Sequence, residues 1–260
     1  MRTDKLSASK LKTFQWCQFR YYLTYEAKLP EMNRPSKATE VGSVVHEVLE
    51  KYALGEKDWE KQLDHSLVKF APWKLIGEEM KDVDECPKDM REACMKMIQT
   101  AFDRDDKPFS RKIVGTPEQK FDENLSKEIP VLGYIDLVTE IDKDTIEIRD
   151  WKTGKQAKEG ELREDLQPKI YDLVAMVLWP QYLNRLLTFD YLKGKPISFR
   201  FTDEERMVTL REIEELSNTI NKIKVPNRII DIEPKQRWRC SSWCFGLNKC
   251  DNLYEKYFPV

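Results

Sequence analysis

The sequence predicts an α/β fold: a mixed central β-sheet flanked by helices, with a helical insertion and a cysteine-bearing lobe joining the two chain ends. Three observations predict it. Short alternating segments between residues 118 and 152, and again at 186–192, read as strands. Segments before and after them carry apolar residues at helical spacing. The cysteines gather at the two ends, with Cys17 near the start and Cys240, Cys244 and Cys250 near the finish. A chain of 260 residues is long enough to bury one substantial core with a small appended lobe.

In chain order, a first helix begins near Ser7 and runs past Tyr25, with Leu11, Phe14, Cys17 or Gln18, and Tyr21 to Tyr25 on its stripe. Residues 28–40 are polar with two prolines and read as a loop. Val44, Val45, Val48, Leu49 and Tyr52 mark a second helix, with His46 at its start. Residues 58–112 read as a charged helical insertion, broken near Pro72, Pro87 and Pro108. Strands follow at Glu118–Phe121, Ile129–Thr139 and Thr145–Trp151, the last two joined as a hairpin by Asp142-Lys143-Asp144. Leu166, Ile170, Tyr171, Val174 and Leu178 mark a helix ending at Pro180, and Leu186–Leu192 is another strand. Thr202 and Glu205 form a capping box for a helix carrying Met207, Leu210, Ile213, Leu216 and Ile220, which stops before Pro226. The tail is irregular and rich in tryptophan and cysteine.

Hydrophobic residues make up 40% and charged residues 35%, which suits a soluble globular protein. No apolar run approaches the roughly 18–20 residues that cross a bilayer, and the first residues lack a secretory apolar stretch, so a cytoplasmic location is expected. The net charge of −2, from 44 basic and 46 acidic residues, argues mildly against nucleic acid as partner. Phosphate is contacted by a local groove rather than by net charge, so the balance does not decide the matter.

The chemistry concentrates in Ile146-Glu147-Ile148-Arg149-Asp150-Trp151-Lys152. Alternation puts Ile146, Ile148, Asp150 and Lys152 on one face, and charge on an apolar face is costly unless it is used or paired. One strand earlier, Asp136 sits inside the apolar run Gly133-Tyr134-Ile135-Asp136-Leu137-Val138. Hairpin pairing would bring Asp136 towards Asp150, and a divalent cation resolves the repulsion of two carboxylates, with oxygen ligands suiting Mg²⁺ or Mn²⁺. Lys152 then faces the same site, able to orient water and to stabilise charge on a phosphate. The plainer reading has two strand-end acids and an exposed lysine partner. His46 is one of two histidines, the other being His65 in a charged helix, and Gln167 and Tyr171 share a helix face four residues apart.

In this order, Gly-x-x-x-His, Gly-Tyr-Ile-Asp, Asp-Trp-Lys-Thr-Gly and Gln-x-x-x-Tyr resemble the RecB-type branch of the PD-(D/E)XK nucleases over roughly residues 7–250. The resemblance implies a restriction-endonuclease-like core and a single nuclease domain over residues 1–260. It implies that His46, Asp136, Asp150 and the backbone carbonyl of Trp151 ligate the metal. Lys152 would be the catalytic lysine, with Gln167 and Tyr171 positioning DNA and Glu118 as a further site acid.

Clustered cysteines in a cytosolic chain point to metal or redox chemistry. The split of Cys17 from Cys240, Cys244 and Cys250 resembles the iron–sulfur members of the same branch, including the CRISPR-associated exonucleases and AddB nuclease domains. It implies a 4Fe–4S cluster in a lobe of residues 1–27 plus 226–260, stapling the chain ends. Here three residues rather than two separate Cys240 from Cys244, and Gln18 stands where the family commonly has proline. Zinc is the alternative occupant of four thiols. Cys86 and Cys94 read as small buried hydrophobes, and Trp16 and Trp243 as shields of the cluster.

Lys155 and Lys158 extend a basic run from Lys152, and Arg237-Trp238-Arg239 precedes the cysteines. Such groups hold phosphate and stack bases on a single strand, or they are solvated loops. The expected function is therefore a metal-dependent DNA exonuclease acting on single strands or DNA ends in recombination, repair or replication. The alternative is a catalytically silent or partner-dependent DNA-binding iron–sulfur subunit of a helicase or integrase complex. No GxxxxGK[ST] phosphate loop occurs, so any helicase or recombination motor would be a separate chain.

Overall fold

The computed structural model describes residues 5–33, 36–70, 86–126, 129–229, 240, 244 and 247–259. The chain divides into two compact units. A sheet unit comprises Pro35–Glu123 and Gly133–Arg206, and a terminal unit comprises Met1–Arg34, Asn124–Leu132 and Met207–Val260. A two-stranded sheet of β1 (Gln119–Asn124) and β2 (Pro130–Ile135) has residues in both stretches.

The sheet unit is built on four strands in the order β3 (Leu137–Asp142), β4 (Thr145–Lys152), β5 (Asn184–Tyr191) and β6 (Pro196–Phe199). β3 and β4 form the expected antiparallel hairpin, whose turn is fixed by the Asp144 N–H donating to Asp142 Oδ1 at 2.9 Å. β4 and β5 run parallel, which requires a crossover, and the helices α6 (Glu159–Glu164) and α7 (Leu166–Leu178) supply it. Asp165 caps α7 by accepting from the Gln167 N–H at 2.8 Å. β4 is central and buried on both faces from Thr145 to Trp151, so the one-faced alternation expected from its even positions is half of the pattern.

Three helices complete this unit: α3 (Lys37–Ala53), α4 (Trp59–Phe70) and α5 (Lys88–Phe102). Val44, Val48, Leu49, Leu63, Leu67, Cys94, Met97 and Ile98 share one apolar core with Leu137 and Trp151. Phe109 stacks on Trp151 at 5.6 Å, tying that core to β4. Within the stretch 58–112, expected as a helical insertion, Trp59–Phe70 and Lys88–Phe102 are helical, with Pro87 at the N-cap position of α5; Pro72 lies outside the described residues.

Several expectations need correction. The strand expected at Ile129–Thr139 is two strands, because β2 pairs with β1 and β3 with β4, and the chain bends between them at Asp136. The loop expected at 28–40 ends early. Ser36 accepts from the Thr39 N–H at 3.2 Å and starts α3 at Lys37, so His46 lies mid-helix rather than at its start. The short strand β6 was not anticipated. On the last long helix, α8 (Asp203–Lys222), Ile213 and Ile220 are buried as expected, but Met207 is exposed and Thr209 and Ser217 are buried with them. Its capping box is present, with Thr202 and Glu205 bonded reciprocally at 2.7 and 3.2 Å.

In the terminal unit, Ser7 caps α1 (Ala8–Trp16), which buries Leu11 and Phe14. The helix expected to run past Tyr25 is interrupted at Cys17, whose extended backbone starts a new turn, α2 (Gln18–Tyr21), continuing as a π-helical turn over Tyr22–Glu26. Phe19 and Tyr22 pack on Tyr254, Tyr257 and Phe258 of α9 (Leu247–Tyr257) and its end, with Phe19–Tyr254 and Tyr22–Phe258 centroids each 4.9 Å apart. The Phe19 N–H donates to Asn227 O at 3.0 Å, and the Asn227 N–H to Gln18 Oε1 at 2.9 Å. Early and late segments are thereby laced together. No helix among the described residues is long and apolar enough to cross a membrane.

Candidate functional site

Register places the first group. Leu137 pairs with Arg149, so Asp136 stands across from Asp150 at the end of the β3–β4 ladder. β2 turns away there, and the Trp151 N–H, left without a strand partner on that side, donates to Asp136 Oδ2 at 2.6 Å. A strand residue's N–H and C=O point towards the same neighbour, so the Trp151 carbonyl faces the Asp136 side as well.

His46 arrives from α3. A Cβ on Gly42, one turn earlier, would lie 3.3 Å from Thr153 Oγ1, so the glycine lets the helix approach the end of β4 closely. His46 Nδ1 lies 3.4 Å from Asp136 Oδ1 and 3.6 Å from Glu118 Oε1. Glu118 does not lie on a strand as expected. It precedes β1 with φ +48°, a left-handed conformation that costs a non-glycine residue of order 1 kcal/mol and is characteristic of functional positions. Its N–H donates to Asp136 O at 2.9 Å. His46, Glu118 and Asp136 each offer one ligand atom, all within 4.8 Å of one another.

Asp150 and Lys152 form the adjoining group. Gln167 Nε2 donates to Asp150 Oδ1 at 2.9 Å and to the Tyr171 hydroxyl at 2.8 Å, while its Oε1 accepts from Lys152 Nζ at 3.0 Å. An ammonium only donates, so Lys152 fixes which way the Gln167 amide points. Asp150 Oδ2 is buried, in ion-pair contact with Lys152 Nζ at 2.7 Å but with no aligned hydrogen-bond donor.

These environments separate the two acids. Burial works to raise Asp136, but His46 and the Trp151 N–H outweigh it and hold its carboxyl below the ordinary range. Burial pushes Asp150 up to about 6 in spite of Lys152, with the Asp136 charge adding to the rise. Burial disfavours the charged imidazole of His46, yet the Asp136 carboxylate lifts it well above its usual value. Lys152 is likewise raised, since Asp150 overcomes its desolvation. Tyr171 is pushed well above 10 by burial and by the nearby carboxylates, so its hydroxyl stays protonated. The nitrogen of His46 and the carboxylate oxygens of Glu118 and Asp136, gathered within 4.8 Å, suit a hard divalent cation.

The four expected cluster cysteines also meet. Cys17, Cys240, Cys244 and Cys250 line one apolar cavity in the terminal unit with Trp16, Phe19, Leu23 and Ile229. Burial raises the Cys17 thiol, while the neighbouring backbone of Arg20, Ile229 and Phe19 works the other way. Cys250 is pushed up to about 12 by burial and by the other three sulfurs. Cys86 and Cys94 lie apart in the sheet-unit core, where burial pushes Cys94 up to about 11, as inert core thiols. Arg237, Trp238, Arg239 and Trp243 lie outside the described residues.

A charged layer on the opposite face of β4 was missed by sequence reasoning. Arg149, fully buried, bonds Glu147, Asp190 and Asp106. Arg104 reaches Asp190 at 2.6 Å, and Arg111 reaches Glu147 at 2.8 Å. The signal was the alternation of charge on both faces of one strand, at Glu147, Arg149, Asp150 and Lys152.

A model of the PD-(D/E)XK nuclease superfamily matches residues 5–251. Among solved structures, a candidate exonuclease from Eubacterium rectale has a similar fold, with a TM-score of 0.55 and 16% identity over 87% of this chain and 85% of that one. A comparison with curated proteins finds no match.

Proposed function

Because the chain belongs to the PD-(D/E)XK nuclease superfamily, we propose that it is a metal-dependent DNA exonuclease of the RecB type. It hydrolyses phosphodiester bonds in single strands or at DNA ends, in recombination, repair or replication. The observation that carries this reading is the His46–Glu118–Asp136 group beside an Asp150–Lys152 pair held by Gln167. His46, Glu118 and Asp136 would hold Mg²⁺ or Mn²⁺, with the Trp151 carbonyl and Asp150 beside them. Such a cation supplies positive charge at the phosphate and a water of lowered pKa. Lys152, 29% exposed, holds Nζ against Asp150 and Gln167, and would donate a further hydrogen bond to a phosphate oxygen as charge develops. Gln167 and Tyr171 hold Asp150 in register with that ammonium, and would position the phosphate through the acid and the lysine they fix.

Cys17, Cys240, Cys244 and Cys250 are proposed to hold a 4Fe–4S cluster. The four thiols, one early and three late in the chain, line one apolar cavity, which supports a shared occupant, with zinc as the alternative. The backbone beside Cys17, which works against the burial of its thiol, would favour a ligand thiolate. Iron and acid-labile sulfide analysis with visible absorption tests this directly; stoichiometric zinc without sulfide would reverse the assignment.

The test of activity uses anaerobically purified protein with end-labelled single- and double-stranded DNA in Mg²⁺, Mn²⁺ or EDTA. Metal-dependent degradation is expected, falling about 10²–10³-fold in Lys152→Ala. No cutting of either DNA in any metal, by protein with its cluster intact, would turn the reading towards a silent or partner-dependent DNA-binding subunit.

A further inference from the structure

Two lysine-bearing loops leave neighbouring strands at the active-site end of the sheet. β4 and β5 are parallel, with Lys152 opposite Tyr191, and the Leu192 N–H donates to Lys152 O at 2.9 Å. Beyond β4, the loop to α6 carries Lys155 and Lys158. Beyond β5, the turn into β6 carries Lys193 and Lys195 on either side of Gly194. All four lysines are exposed.

The loops are joined by a specific contact. Gln156 Oε1 accepts from the Lys195 N–H at 3.1 Å. A Cβ on Gly194 would fall 2.3 Å from that same oxygen, so the close approach requires glycine. From the other side, Arg104 donates to the carbonyls of Tyr191 at 2.9 Å and Gly194 at 3.2 Å while paired with buried Asp190. The turn is thus pinned by two side chains from different parts of the sheet unit.

The acids next along the chain are occupied. Glu159 pairs with Arg163 at 3.0 Å, the Glu161 carboxylate accepts from the Lys158 N–H at 2.9 Å, and Asp165 caps α7. Among the described residues, none of the four lysine ammonium groups has a carboxylate partner in an ion pair. In a chain of net charge −2, this is a local positive surface on a fixed frame, continuous in sequence and in the sheet with Lys152.

We propose that Lys155, Lys158, Lys193 and Lys195, joined through Gln156, form a ridge that holds the phosphates of the DNA strand flanking the bond to be cut. Flexible stems ending in compact charges suit repeated phosphates without reading sequence. The ridge takes its substrate from the nuclease reading above, and it adds the path by which the strand reaches Asp150 and Lys152.

The experiment compares the wild type with a variant carrying Lys155→Ala, Lys158→Ala, Lys193→Ala and Lys195→Ala, and with Gln156→Leu, which keeps every lysine. Hydrolysis of a single-stranded oligonucleotide is measured against salt, beside bis(p-nitrophenyl) phosphate, a diester too small to reach the ridge. Binding of the oligonucleotide is followed in parallel by fluorescence anisotropy with Ca²⁺. For the four-lysine variant, KM for the oligonucleotide is expected to rise at least tenfold, with kcat on the small diester unchanged. The slope of log affinity against log salt should flatten by about 3, since each phosphate of a single strand that is no longer neutralised removes about 0.7. Gln156→Leu should raise KM less and leave the slope nearly intact. Unchanged KM and slope in the four-lysine variant would overturn the ridge. If the wild type cuts neither substrate, the nuclease reading fails, and the anisotropy slope alone then decides for or against the ridge.

Discussion

Glu147, Arg149 and Trp151 point to one side of β4, Asp150 and Lys152 to the other, and the two sides treat buried charge in opposite ways. On the first, every charge is answered. Arg149 meets Glu147, Asp106 and Asp190, and Glu147 also accepts from Arg111 at 2.8 Å and from the Thr188 hydroxyl at 2.6 Å. Burial works against the Arg149 charge, but those acids outweigh it and raise its pKa further. On the second side, Asp150 keeps an oxygen without an aligned donor, and burial pushes its carboxyl up to about 6. A closed network of this kind fixes geometry, whereas an open one holds unfavourable charge in readiness for a ligand. One strand carries both, so the closed face sets the register of the open one.

Breaking the closed face should have the largest effect. Arg149→Met leaves Glu147 and Asp190 buried with part of their neutralising charge gone, and is expected to destabilise by about 3–5 kcal/mol. Thermal unfolding should report a Tm lower by about 10 °C or more. A change within about 2 °C would mean that the network contributes no net stability.

Changing the open face should do the reverse. The folded pKa of Asp150 lies above its unfolded value, so its contribution is most favourable below about pH 4 and is lost as pH rises towards 6. By pH 7, metal-free protein bears a cost of order 2–3 kcal/mol at this residue. Asp150→Asn is therefore expected to abolish cleavage while raising Tm in chelator by about 5 °C at pH 7, with the gain vanishing near pH 4. A destabilised Asp150→Asn at pH 7 would show that the Lys152 pair is worth more than the burial it requires.

The smallest effect sharpens the comparison. Despite burial, Asp136 raises His46 well above its usual pKa, which favours the protonated imidazole in metal-free protein. A cation binding there must displace that proton. Mn²⁺ titrated calorimetrically at pH 7 in two buffers of different ionisation enthalpy should release about one proton, with affinity rising as pH rises. Zero proton release would remove His46 from the ligand set.

Alternation alone revealed the even face of β4, and the Thr202–Glu205 cap revealed the start of α8, because both signals are local. The bend at Asp136 was not legible. Gly133-Tyr134-Ile135-Asp136-Leu137-Val138 is one apolar run with a single acid and no turn residue at the bend, and what breaks it is the change of pairing partner from β1 to β3's neighbour β4. The place of Glu118 off the strand was not legible for the same reason, since its left-handed backbone follows from tertiary contact rather than composition. The partners of Arg149 come from residues 106 and 190, separations that no local pattern encodes. The one-plus-three cysteine layout was legible as a cavity, while the residues that surround it in space were not.

The approach of α3 to Thr153 at Gly42 leaves almost no slack for a side chain. Glycine is already the smallest residue, so every substitution there adds bulk, and a Cβ 3.3 Å from the Thr153 hydroxyl fits only if that hydroxyl turns aside or the helix gives by a few tenths of an ångström. A helix that gives carries the His46 ring with it. Tolerance at a residue that touches no ion thus hangs on a threonine rotamer across the gap.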